Sequence, residues 1–182
     1  MIASSTDPKM SDRILVTYAS RTGSTAGVAE AIGRTLADSG LAVDVRAMKE
    51  LTDVSPYRAI VAGSAIQAGK WLPEAMHFLQ LHQSVLIQKP FAAFLVCMTP
   101  GMPNAAQYQG FVADFLKPVR SMVKPVSEGL FAGTLDISKV PSFTDRLKFR
   151  LSVIFRVWSE GDHRDWEDVR EWTNSIRPLL LS

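Results

Sequence analysis

Ile14-Leu15-Val16-Thr17-Tyr18-Ala19-Ser20-Arg21-Thr22-Gly23-Ser24-Thr25 passes from an almost unbroken apolar run into a turn of hydroxyl side chains around one glycine. An apolar run of this length without polar alternation is expected of a strand buried on both faces. Helical spacing follows from about Thr25 to Ser39, with Val28, Ala31, Ile32, Thr35 and Leu36 recurring on one side and Gly40 where a C-terminal cap belongs. The turn therefore lies between the carboxyl end of a strand and the amino end of a helix. Unbonded backbone N–H groups and the positive end of the helix dipole favour an anion there. Ser20, Thr22, Ser24 and Thr25 add hydroxyl donors, and Gly23 lets the chain curl. That set suits a terminal phosphate monoester. The simpler reading is that Ser24 or Thr25 only caps the helix, but four hydroxyls exceed what a cap needs.

Outward from this turn the same alternation continues. Ala42–Val45, Arg58–Ser64, Phe91–Met98 and Glu128–Leu135 read as four further strands. A helix is expected over Pro73–Gln83, with proline in its first turn. Two more follow the last strand, the final one opening on the acidic cap Asp165-Trp166-Glu167-Asp168. Apolar strands alternating with helices predict an α/β fold, a doubly wound five-stranded parallel sheet in the order 2-1-3-4-5 with helices on both faces. The first eleven residues read as a disordered leader and 12–182 as a single domain. An insertion at about 99–125 carries Pro100, Pro103, Pro118 and Pro125 around a helical middle, Ala105–Phe115.

Composition excludes several functions. The chain has 182 residues, is 47% hydrophobic and 21% charged, and carries a formal charge of +2, too small and too dispersed for nucleic-acid binding. No run reaches membrane-spanning length, and the start lacks a secretory signal, so a cytoplasmic location is expected. Cys97 is the sole cysteine, and His77, His82 and His163 show no metal-ligand spacing, so no metal site is expected. A dinucleotide turn needs Gly-x-Gly-x-x-Gly, where only Gly23 and Gly27 occur. Gly63 to Gly69 has one residue too many for a nucleotide P-loop, and Lys70 is followed by Trp71.

Val16–Thr25 resembles the phosphate loop of flavodoxins, Ser/Thr-x-Thr-Gly-x-Thr. The loops Gly63-Ser64-Ala65-Ile66-Gln67-Ala68-Gly69-Lys70-Trp71 and Met98-Thr99-Pro100-Gly101 resemble, by position, the two loops that contact the flavin. Leu130-Phe131-Ala132-Gly133, the basic segment after it and Asp165–Val169 resemble the menaquinone-dependent protoporphyrinogen dehydrogenases, whose Gly-Ala-Ser-Ile-x-x-Gly loop is echoed by Gly63 to Gly69. That family is strongly basic in the insertion. Here 99–125 has only Lys117, Arg120 and Lys124 against Asp114.

The resemblance implies flavin mononucleotide (FMN) as cofactor. Its phosphate falls to Ser20, Arg21, Thr22, Gly23, Ser24 and Thr25. Its ring edge falls to Ser64, Ala65, Ile66, Gln67, Ala68 and Gly69, and its pyrimidine end to Thr99, Pro100 and Gly101. Trp71 either stacks on the ring or packs on the following helix. Cys97 reads as core. No catalytic acid or base stands out. The implied function is oxidation of a porphyrinogen, with a quinone or a redox partner protein as acceptor. The alternatives are a flavodoxin-type electron carrier and a flavin-free scaffold or membrane-surface module. On a helical projection of 146–158, Leu147, Leu151, Ile154, Phe155 and Trp158 form a stripe suited to core packing. Phe149, Val153 and Val157 form a second stripe, edged by Arg146, Arg150 and Arg156, which suits contact with the inner face of a membrane.

Overall fold

The computed structural model describes residues 11–102, 104–139, 143–154 and 160–182. The leader up to residue 10, and Phe155, Arg156, Val157 and Trp158, lie outside them, as do the side chains of Phe149 and Ile154. Ile14, Leu15 and Val16 are fully buried because β1 (Ser11–Ala19) is an inner strand, parallel to β2 (Val43–Ala47) on one side and β3 (Tyr57–Gln67) on the other. β3 pairs in turn with β5 (Phe91–Cys97), and β5 with β6 (Ser127–Ala132), all parallel. The order β2-β1-β3-β5-β6 is the doubly wound arrangement expected of the five apolar runs.

Strand alternation sends successive residues to opposite layers. On one face Leu15, Ile60, Ala62, Ala93 and Leu95 pack under α2 (Pro73–Leu86) and the insertion, through Phe78, Leu79, Leu116 and Val119. On the other, Ile14, Val16, Val61, Phe94 and Phe131 pack under α1 (Ser24–Asp38) and α6 (Trp166–Leu181), through Val28, Ile32, Val169 and Ile176. Phe94, Phe131 and Trp172 meet edge-on or tilted, with centroids 5.4 to 6.3 Å apart, and the Trp172 indole donates to Ser127 Oγ at 3.1 Å. The cap at α6 forms as its sequence predicts: Asp165 accepts from the N–H groups of Glu167 and Asp168 at 2.9 and 3.1 Å.

Three features differ from expectation. β3 overshoots the parallel sheet, and its last residues turn back in a hairpin to β4 (Lys70–Trp71). Gly133 breaks the run read as one strand, leaving β7 (Thr134–Leu135), which pairs antiparallel with β8 (Gly161–Asp162). The insertion holds α3 (Ala105–Ala113) and a short α4 (Lys117–Met122) joined by a 3₁₀ turn. Between β7 and β8 lies α5 (Phe143–Ile154). Among the described residues no helix is long and apolar enough to cross a membrane.

Gly63 faces Phe94 so closely that an added Cβ would stand 2.1 Å from the ring. Gly63→Ala is therefore expected to destabilise by about 1–3 kcal/mol, read as a lower urea midpoint at unchanged slope. An unshifted midpoint would mean that the ring yields freely.

Candidate functional site

At the carboxyl ends of the parallel strands lies a cavity of about 300 Å³, at the small end of ligand pockets. Its first wall is the turn after β1. Gly23 adopts a left-handed conformation, φ +90°, accessible to glycine at no steric cost. It is the N-cap of α1, and no side chain caps the helix. Ser20 Oγ instead receives the Gly23 N–H at 3.1 Å. The first N–H to bond within the helix is that of Gly27, to the Gly23 carbonyl at 3.0 Å. The amides of Ser24, Thr25 and Ala26 thus precede the helical ladder. The capping reading of Ser24 or Thr25 is absent from the structure. Thr25 is fully buried, lines the cavity, and its Oγ1 has no hydrogen-bond partner. A buried hydroxyl without a partner costs about 1–3 kcal/mol, a deficit that an acceptor in the cavity would relieve.

Ser20, Arg21, Thr22, Ser24, Thr25, Ala65, Ile66 and Gln67 converge on this one cavity. Arg21 also reaches sideways to Glu74, in the first turn of α2, at 2.9 Å. The other expected residues stand further back. Ser64 is buried, its hydroxyl receiving the Leu72 N–H at 3.0 Å and donating to the Ala65 carbonyl at 2.8 Å. Ala68 (φ +50°) and Gly69 (φ +74°) form the tip of the β3–β4 hairpin. Trp71 differs from its stacking reading. It is 4% exposed and packed in the core, because pairing with Ile66 turns it inward, and its neighbour Leu72 forms the cavity wall. Thr99, Pro100 and Gly101 make a 3₁₀ turn just beyond the wall residue Met98. An added Cβ at Gly101 would stand 2.8 Å from the His163 Cβ.

Sequence reasoning missed the fourth wall, Gly133, Thr134, Leu135 and Asp136, together with Val96 and Cys97. The available signal was Gly133, a glycine inside an apolar run, which often marks close backbone approach. An added Cβ there would lie 3.2 Å from both Ser24 Oγ and Val96 Cγ1. The Thr134 N–H donates to Ser24 Oγ at 3.0 Å, which ties the hydroxyl-rich turn to the far side of the cavity. Cys97 is half-buried, and burial pushes its thiol pKa up despite hydrogen bonding with Thr99. The thiol is therefore protonated near neutral pH.

Behind this wall Asp162 takes two hydrogen bonds from the Arg164 guanidinium, at 2.8 and 2.6 Å. That guanidinium stacks 4.4 Å from the Trp166 ring centroid and abuts Gly27 in α1. Bonding to Arg164, partly offset by desolvation, holds the Asp162 pKa down to about 2.

Residues 15–165 match the family model of the flavodoxin domain. The chain belongs to that family. No curated protein matches the sequence. Among solved structures the flavodoxin domain described here is similar to oxidised flavodoxin 2 from Bacillus cereus, with 23% identity and a TM-score of 0.54 over 92% of this chain and 97% of that one. It is also similar to rubredoxin oxygen:oxidoreductase from Desulfovibrio gigas, with 16% identity and a TM-score of 0.51, covering 96% of this chain and 38% of that one. The flavo di-iron protein from Thermotoga maritima gives 15% identity and a TM-score of 0.56, covering 93% of this chain and 36% of that one. The chain spans well under half the length of these last two. At such identities the likeness establishes the fold.

The depressed Asp162 pKa has a direction with pH. Its contribution to stability is complete above the unfolded value of about 3.9 and is lost as pH falls through the folded value of about 2. The stability gap between wild type and Asp162→Asn should narrow as denaturation is measured from about pH 4 downward. A gap constant across that window would remove the ion pair as a source of stability.

Proposed function

We propose that the cavity binds FMN by its phosphate and that the protein is an FMN-dependent oxidoreductase of the protoporphyrinogen-dehydrogenase type. One observation carries the cofactor reading. The buried, unpartnered Thr25 hydroxyl stands beside the uncapped amides of α1, all donors gathered where the cavity begins. A phosphate monoester offers acceptors to every one of them at once. Membership of the flavodoxin-domain family supports the same reading.

When bound, FMN supplies two-electron acceptance from a reduced substrate and donation to a quinone or a partner protein. The chain's own part is to hold and enclose. Thr22, Thr25 and the α1 amides anchor the phosphate, while Ser24, tied to Thr134, keeps the opposite wall at a fixed distance. Ile66, Leu72 and Val96 present apolar surface that excludes water from the cavity. Gly69 sits at the hairpin tip with Phe115 behind it, 3.4 Å from where a Cβ would stand. Phe115 meets Phe111 edge-on at 4.9 Å. Phe111 and Tyr108 of α3 are 60% and 41% exposed. Phe111, in contact with Phe115 behind the hairpin tip, offers an exposed ring suited to a flat apolar substrate such as a porphyrinogen, with Tyr108 one turn away on the same helix.

Two measurements test this. Thr25→Val removes the stranded hydroxyl at constant shape, so apoprotein stability should hold or rise while FMN affinity falls at least tenfold, about 1.4 kcal/mol. Unchanged affinity in titrations followed by flavin absorption would take the hydroxyl out of the site. With protoporphyrinogen as donor and a quinone as acceptor, Phe111→Ala should raise KM about three- to tenfold, equivalent to about 0.5–1.5 kcal/mol, at unaltered FMN affinity. A wild-type protein that binds FMN but never turns over protoporphyrinogen would instead be an electron carrier.

A further inference from the structure

We propose that α5, which packs on the turn that follows the Gly133–Asp136 wall of the cavity, is a docking helix for an anionic lipid surface. The sequence pattern assigns Leu147 and Leu151 to a core-packing stripe. The structure exposes them, at 52% and 46%. The reason is positional: α1 and α6 cover one side of the sheet, α2 and the insertion the other, and α5 packs against the 3₁₀ turn Ile137–Lys139. Leu147 and Leu151 lie four residues apart and so share one face. Arg146 and Arg150, also four apart and exposed, run alongside them.

The charge pattern selects the occupant. Within α5 the sequence places Arg146, Lys148 and Arg150 against one acidic residue, Asp145, near the helix start. From Arg146 to Trp158 there is no acidic residue at all. Two copies meeting through this face would set these cations against their own counterparts, which like-charge repulsion disfavours. Anionic headgroups attract them, and the two leucines enter the boundary between headgroups and acyl chains. Glu160 is the acidic residue that borders this region, on the side of Arg150. It accepts the Ile137 N–H at 3.3 Å and lines a small cleft with Ile137, Ser138, Arg150 and Val153.

Position gives the surface a use. The turn that carries α5 follows directly on Asp136, a wall residue of the cavity. Docking through α5 would bring that wall close to the bilayer, where an apolar, lipid-dissolved redox partner is concentrated. The docking claim itself is independent of the cofactor reading, since it rests on the exposed face alone.

Co-sedimentation of the full-length protein with phosphatidylglycerol vesicles and with phosphatidylcholine vesicles tests it. Wild type should bind phosphatidylglycerol at least tenfold more strongly, with binding lost at high salt. Leu151→Glu, and the pair Arg146→Glu with Arg150→Glu, should each weaken binding at least tenfold, Leu151→Glu without changing the unfolding midpoint, because Leu151 is exposed. No wild-type binding to either vesicle, equal binding to both, or binding indifferent to these substitutions would overturn the proposal. So would α5-dependent self-association without vesicles, which would make the face a dimer contact. FMN affinity, measured on the same variants, separates a failure here from a failure of the cofactor reading.

Discussion

The first helix ends toward the cavity without a cap, and the rest of the site is arranged around that fact. A left-handed glycine at position 23 turns the chain so that the amides of Ser24, Thr25 and Ala26 meet no intrahelical acceptor. Helices commonly satisfy such groups with their own Ser, Thr, Asp or Asn side chain. In α6 Asp165 does this. In α1 the nearby hydroxyls are committed elsewhere or stranded: Ser20 serves Gly23, Ser24 serves Thr134, and Thr25 has no partner. A protein carrying an unsatisfied helix end and a buried orphan hydroxyl at one spot is under a thermodynamic deficit that an anion removes.

The opposite wall is held by contacts far apart in sequence. Ser24 and Thr134 are 110 residues apart, and a Cβ at Gly133 would stand 3.2 Å from Ser24 Oγ, so a side chain there would press on the hydroxyl. Behind them Asp162 and Arg164 brace β8 against the first turn of α1. The cavity's shape therefore depends on the same helix end that supplies its donors. Loosening the clasp would cost ligand affinity and stability together.

The sheet was legible in the sequence because its inner strands β1, β3 and β5 are apolar runs buried on both faces, and burial is what such a run encodes. Half of the site was legible for a related reason: four hydroxyls around a glycine, set between strand and helix, supply more donors than a helix cap consumes. The β3–β4 hairpin and the antiparallel β7–β8 pair were not legible, since strands of two residues carry no periodicity. Nor was the Gly133–Asp136 wall, which is created by tertiary contact with Ser24. The stripe through Leu147 and Leu151 shows the opposite failure. Helical spacing correctly put the two leucines on one face, but a pattern cannot reveal that the fold leaves them exposed.

The most direct test of a phosphate-shaped site compares two ligands that differ only in the phosphate. Titration of the purified apoprotein with FMN and with riboflavin should show FMN binding at least tenfold more tightly, a difference of about 1.4 kcal/mol, with the preference shrinking as salt is raised. Equal affinity for the two, or no binding of either, would contradict an anion site at the start of α1.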